Sequence, residues 1–172
     1  MKLLRSKRIF LRGIEARDLN KRYIDWLNDS EVNRYLETRF SPQTEESIHA
    51  YWEKHHNDLT SPWFAICLVN DSLHIGNIKL GPIDFTHKSA RISYFIGEKK
   101  LWGKGYATLA IKEIAKKAKK KGIKKLKAGL YEVNIGSKKA LVKNGFKLEG
   151  KLQSEISFKG KRISLYLFGK IL

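Results

Sequence analysis

The residues best suited to chemistry in this 172-residue chain lie in Lys100-Leu101-Trp102-Gly103-Lys104-Gly105. Two glycines, one residue apart, remove the Cβ atoms that would keep an anion away from the backbone, and lysines flank them. Before this turn, Ile92, Tyr94 and Ile96 alternate with Ser93, Phe95 and Gly97, which predicts a strand. After it, Ala107, Ile111, Ile114, Ala115 and Ala118 fall on one stripe, which predicts a helix. A strand that passes through a glycine-bearing, basic turn into a helix makes an anion site. The N–H groups of the first helical turn have no partner inside the helix, and the helix dipole favours negative charge there. Two nucleotide loops are excluded by spacing. A Walker A loop needs a longer gap and a closing Gly-Lys-Ser/Thr, and the dinucleotide pattern needs a third glycine where Thr108 stands.

The turn needs elements on both sides to hold it. Lys119-Lys120-Lys121-Gly122 ends the helix with cations and a glycine, and Lys124 to Tyr131 reads as a strand. Strand, helix and strand at this length form a βαβ unit, so the two strands should lie parallel with a right-handed crossover. Upstream, Lys7 to Arg12 reads as a strand and Arg17 to Asn28 as a helix. Asn28 to Leu36 reads as a polar turn followed by a short helix. Ser41-Pro42 predicts a helix start, with Ser as N-cap, Pro at the first position and Glu45 and Glu46 in the first turns. His55-His56 on that helix point in different directions and lack a completing ligand, so no metal site is expected. Trp63 to Val69 is a continuous apolar run, as in a buried strand, and Cys67 within it reads as core. Leu73 to Ile83 is a further strand. Asn134 to Lys143 reads as a short helix stopped by Asn144-Gly145. Strands begin at Phe146 and cover Ile163 to Ile171, with a turn at Phe158 to Lys161. The expectation is an α/β (α+β) fold in one domain over residues 1–172. Its sheet is mixed and mostly antiparallel, with a central parallel pair joined by a crossover helix and helices on both faces.

The formal net charge of +18 favours acidic partners: nucleic acid, a ribosome or a phosphorylated small molecule. Nine lysines in Lys112 to Lys127 carry much of it, but the opposite side of that segment is a regular apolar stripe, as on an amphipathic helix with a solvated face. No run of about 18 apolar residues exists to span a membrane. The first residues lack the apolar stretch of a signal peptide. Cys67 is the single cysteine, so no intrachain disulfide forms, and a cytoplasmic location is expected.

Three marks follow one another in the second half: the glycine loop at 100–105, Asn134-x-x-Ser137, and Leu141-x-x-x-Gly145-Phe146 followed by Leu148-Glu149-Gly150. Together they resemble the GCN5-related N-acetyltransferase superfamily. The closest resemblance is to the branch of ribosomal-protein N-terminal acetyltransferases and nucleotide-linked amino-sugar N-acetyltransferases, which Trp26 to Val32 and Gly103 to Thr108 also fit. The resemblance implies acetyl-CoA as cosubstrate. It places the pyrophosphate on the backbone of Trp102 to Tyr106, with Lys104 and Thr108 as side-chain contacts. Lys100 stands where the family has Gln or Arg, and Leu101, Ala107 and Lys143 lie beside the same groups. The donor for the thioester oxygen would come from the backbone around Phe95, Ile96 and Gly97. Asn134 would bond the pantetheine arm or cap the short helix, and Ser137 would protonate the leaving thiolate. Leu141 occupies the place where many members carry a tyrosine.

For the base, the nearest acid after Glu149-Gly150 is Glu155, one residue short of the position now held by Ile156; Asp84 and Glu98 are further candidates. An α-amine has a pKa of about 8 and needs less help than a lysine at about 10.4. The expected acceptor is therefore a small-molecule amine on a nucleotide-linked amino sugar, or a protein N-terminus. The competing reading is a nucleic-acid- or ribosome-binding module with a degenerate acetyltransferase fold. The family also suggests a homodimer.

Overall fold

The computed structural model describes residues 4–5 and 8–172. One eight-stranded sheet runs β1 (Leu4–Arg5), β2 (Ile9–Gly13), β3 (Trp63–Leu68), β4 (His74–Asp84), β5 (Ser89–Ile96), β6 (Lys125–Tyr131), β8 (Lys161–Ile171), β7 (Lys147–Phe158) across its width. All neighbours are antiparallel except β5 and β6. The helices are α1 (Lys21–Asn28), α2 (Glu45–His55), α3 (Tyr106–Lys120) and α4 (Ile135–Lys143). The strand expected from Lys7 starts at Ile9 among the described residues, and Lys7 itself lies outside them.

Strand alternation sorts the core into two layers. Ile9, Leu11, Phe64 and Ile66 face α3 and α4, joining Ile111, Ile114 and Leu141. Phe10, Ala65 and Cys67 face the other way, joining Tyr23, Trp26 and Leu27 of α1 and Ile48 of α2. The continuous apolar run of β3 is thus explained by burial on both faces, and burial pushes the Cys67 thiol up. Beneath the second layer Arg12 grips Asp18 with two bonds of 2.6 Å, and His74 Nδ1 sits 3.7 Å from the same carboxylate.

The first quarter of the chain departs from the sequence reading. Residues 17–28 split into a 3₁₀ turn (Ala16–Asp18) and α1, because Asn20 accepts from Tyr23 N and restarts the helix. The short helix expected before Leu36 is a set of turns, and a 3₁₀ turn follows at Glu37–Phe40. The second helix is not opened by Ser41-Pro42. Thr44 is its N-cap, in a reciprocal capping box with Ser47. Gln43 N donates to Asn28 Oδ1 at 2.8 Å, which commits that N–H outside the helix. Glu45 and Glu46 remain in the first turn, where the dipole favours them.

Candidate active site

The site is a seam in the sheet. β5 and β6 pair only at Ser89↔Lys125, Ala90↔Leu126 and Arg91↔Lys127. Beyond these, β5 runs on to Ile96 and β6 to Tyr131 without pairing to each other. Each keeps its other neighbour: β5 stays on β4 through Ile96↔Gly76, and β6 stays on β8 through Tyr131↔Leu165. The sheet therefore opens at one seam while both halves remain intact, and a cleft of about 900 Å³ fills the opening.

The open edge of β5 presents backbone groups. Gly97 N donates to Ile75 O at 2.9 Å, which fixes the alternation of the β4–β5 ladder. By that alternation the N–H groups of Phe95 and Gly97 turn toward β4, whereas those of Tyr94 and Ile96 turn toward the cleft. Of the three positions expected to supply an oxygen-binding donor, Ile96 is the one oriented for it. Gly97 has a packing reason to be glycine, since a Cβ there would collide with the Trp26 ring.

The glycine loop lies on the β5 side of the open end of the seam. Trp102 Nε1 donates to Ile96 O at 2.8 Å and pins the loop to the end of β5. Gly103 and Gly105 have φ of +74° and +84°, the left-handed region that favours glycine, and a Cβ at either would enter open space within the cleft lining. Gly105 caps α3 without a side chain. The N–H groups of Tyr106, Ala107 and Thr108 precede the first intrahelical bond, Leu109 N to Gly105 O at 3.1 Å, so they are free for an anion. A pyrophosphate fits this cradle: two glycines clear the approach and three N–H groups face it. Phe95, Ile96, Leu101, Trp102 and Lys143 join these residues in the cleft lining. Lys100 and Lys104 do not; both are exposed beside the loop.

Asn134 and Ser137 are brought together as the sequence suggested. Asn134 caps α4, its side chain accepting from Ser137 N at 3.1 Å, and both residues line the cleft. Ser137 Oγ lies 2.7 Å from Tyr94 Oη, a contact that sequence reasoning missed because Tyr94 reads as core on a strand. Burial pushes the Tyr94 phenol up to about 12, with the Ser137 contact pulling the other way. Glu155 is exposed and outside the lining, whereas Ile156 is within it. The register of β7 shifts between Leu152 and Ile156, and Ser154 has φ of +52°, so residues 153–155 leave the ladder toward solvent. Asp84 and Glu98 also lie outside the lining.

The β6 side of the same open end is bridged by residues 35–39, which no motif marks. Tyr131 Oη donates to Glu37 Oε1 at 2.6 Å and accepts from Arg39 at 2.8 Å. Tyr35 packs its ring against Tyr131 and Phe158, and its hydroxyl lies 3.4 Å from Val133 O. Burial and Glu37 raise the Tyr131 phenol above its usual range. Glu31, also in the lining, is held by Lys99 at 2.6 Å. Among the described residues no group of His, Cys, Asp and Glu is arranged for a metal, and no helix is long and apolar enough to cross a membrane.

A split parallel pair, flanked at its open end by a glycine-cleared helix N-terminus on one side and an aromatic, charged wall on the other, offers a cleft that can hold a phosphate-bearing carrier beside an acceptor. The acetyltransferase (GNAT) domain family matches residues 8–147, and the chain belongs to this family. It is an N-acetyltransferase whose cosubstrate is acetyl-CoA. Solved structures agree on the fold. A GNAT-family acetyltransferase from Bacillus anthracis superposes with a TM-score of 0.83 at 20% identity, over 99% of this chain and 98% of that one. Spermidine N-acetyltransferase from Vibrio cholerae, in complex with CoA and spermine, gives 0.86 at 20% identity over 96% of each chain. A comparison of the sequence with curated proteins finds no match.

Proposed function

We propose that the chain acetylates an α-amine, as on a peptide or protein N-terminus, from acetyl-CoA. The observation that carries this reading is the state of the carboxylates at the acceptor end. Glu31 is paired with Lys99, and Glu37 with Tyr131 and Arg39. Among the described residues lining the cleft, none offers an unpaired carboxylate to act as a base or to neutralise the charges of a polyamine. An amine with a pKa of about 8 supplies its own neutral fraction near neutral pH, whereas one at about 10.4 does not.

Bound acetyl-CoA supplies an acetyl group activated as a thioester. The chain does the rest with fixed dipoles. The N–H groups of Tyr106 to Thr108 hold the pyrophosphate. The N–H of Ile96 faces the place where charge grows on the acetyl oxygen. Ser137, held by Asn134, gives a proton to the departing sulfur. A nucleotide-linked amino sugar is the second reading, favoured by Arg34, which lies over the rings of Tyr35 on the wall and Trp102 of the glycine loop.

The test is thiol release from acetyl-CoA against three acceptor panels: peptides with free or blocked N-termini, nucleotide-linked amino sugars, and polyamines. Turnover on free but not blocked peptides is expected. Turnover on sugars alone would transfer the assignment to the second reading. Efficient turnover on spermidine alone would overturn the carboxylate argument.

A further inference from the structure

We propose that Tyr94 is a positioning residue for Ser137: its phenol hydroxyl donates to Ser137 Oγ and so turns the serine's own proton into the cleft. This rests on Ser137 acting as the donor to the leaving sulfur.

Ser137 Oγ carries one proton and can accept at its lone pairs. In a first helical turn such a hydroxyl ordinarily bonds back to a carbonyl three or four residues earlier, here Asn134 or Val133. It makes neither bond in this structure, and its partner is Tyr94 at 2.7 Å. The direction of that bond follows from the alternatives. A phenol is a stronger donor than an aliphatic hydroxyl. If the serine donated instead, the tyrosine proton would be left with Ser137 O at 3.4 Å, too long for a good O–H···O bond. With Tyr94 donating, the serine proton has no competing acceptor in its own helix and is free for the sulfur.

The holder is rigid. The Tyr94 ring packs against the core layer under α3 and α4, and β4 pairs with β5 on one side throughout this stretch. From the other direction Asn134 fixes Ser137 N at 3.1 Å. The serine is thus set from the strand through its oxygen and from the helix through its nitrogen, across the seam that the pantetheine arm must thread. Burial pushes the Tyr94 phenol up to about 12, so near neutral pH it keeps its proton and stays a donor, and that proton is committed to Ser137 Oγ.

The accounting closes without a further reactant. The amide C–N bond forms and the thioester C–S bond breaks. The proton lost by the amine goes to water. The sulfur takes the Ser137 proton, and the serine recovers one from water, while Tyr94 keeps its own throughout.

Tyr94→Phe, which keeps the ring and its packing, tests the idea beside Ser137→Ala and the double variant. One lost hydrogen bond that only orients a donor should lower kcat about tenfold and leave the KM for acetyl-CoA within about twofold. The double variant should be no slower than Ser137→Ala alone, because the phenol acts through the serine. A readout independent of turnover is the ¹³Cζ NMR resonance of Tyr94 in the protein without acetyl-CoA, assigned by its loss in Tyr94→Phe. Ser137→Ala should shift that resonance and leave those of the other tyrosines in place. A full rate for Tyr94→Phe while Ser137→Ala is slow, additive losses in the double variant, or an unmoved Tyr94 resonance would each overturn the positioning role. A full rate for Ser137→Ala would remove the serine's own role and this inference with it, even if the resonance moves.

Discussion

The chain divides at the glycine loop into two parts of different charge. Residues 1–98, which build β1 to β5, α1 and α2, contain 14 Lys and Arg against 13 Asp and Glu. Residues 99–172, which build α3, α4 and β6 to β8, contain 21 against four. Nearly all of the +18 therefore lies in the chain from the glycine loop onward. In the first part charges are matched: Arg12 with Asp18, Arg17 with Glu15, Lys21 with Asp25, Arg39 with Glu37. In the second, Glu113 and Glu149 each take one lysine, Lys116 and Lys125. Lys99 reaches back across to Asp29 and Glu31. The balanced half forms a wall with defined local pairs, suited to choosing among acceptors. The basic half makes a field suited to drawing in a polyanion, and the cradle at Gly103 to Thr108 lies where that half begins.

Gly105→Val places a branched Cβ at φ +84° and into the approach to three N–H groups, so acetyl-CoA affinity should fall about a thousandfold by calorimetry, with the fold retained. Affinity within a few-fold of wild type would mean that the anion is held elsewhere. The balanced half has its own weak point. Asp18 is buried, which by itself raises its carboxyl, but the bonds from Arg12 and Glu15 N bring it below the usual range. Asp18→Asn leaves the Arg12 charge half-enclosed and should cost about 3 kcal/mol in chemical denaturation. The acid limb follows the same sites. His74 is held below its ordinary value first by burial. The unfolded chain takes that proton first, so stability falls as pH drops below about 6.5. It falls again as Asp18 is protonated below about 4. In Asp18→Asn the lower step should shrink and the upper one remain; an unchanged lower step would show that Asp18 contributes nothing there.

The two parts also differed in how well the sequence foretold them. In the basic half, periodicity and glycine placement carry the structure: α3, β6, the Asn134 cap and the Gly145 stop lie where the pattern puts them, because each is decided by neighbours in sequence. In the balanced half, the boundary between Asn28 and Thr44 depends on Gln43 N meeting Asn28 Oδ1 and on Thr44 outcompeting Ser41 as a cap, contacts that no local pattern records. The site splits the same way. The glycine loop, with positive φ at Gly103 and Gly105 ahead of α3, is a local device and was legible. The seam, the bridge from Glu37 and Arg39 to Tyr131, and the bond from Tyr94 to Ser137 join residues 43 to 94 positions apart, so they exist only once the sheet has formed. Tyr94 gave one signal, a phenol on a strand aimed at the open edge, but the same alternation fits plain packing.

The smallest effect probes the field itself. Interactions of exposed charges are screened over a Debye length, which shrinks from roughly 14 Å to about 6 Å between 0.05 and 0.3 M salt. The lysines of the basic half are mostly exposed, and only Lys99, Lys116 and Lys125 have an acidic partner among the described residues, so their attraction for a polyanionic carrier should weaken over that range. The KM for acetyl-CoA should rise about fivefold, chiefly through slower association. The KM for a peptide acceptor without charged side chains should change by less than about twofold, since the wall it meets is nearly neutral and its charges are paired at short range. Equal salt dependence for both substrates would mean that the two halves act as one field. No dependence for either would leave the backbone N–H groups of the cradle as the whole of the anion's attraction, and the lysines as a solvated surface.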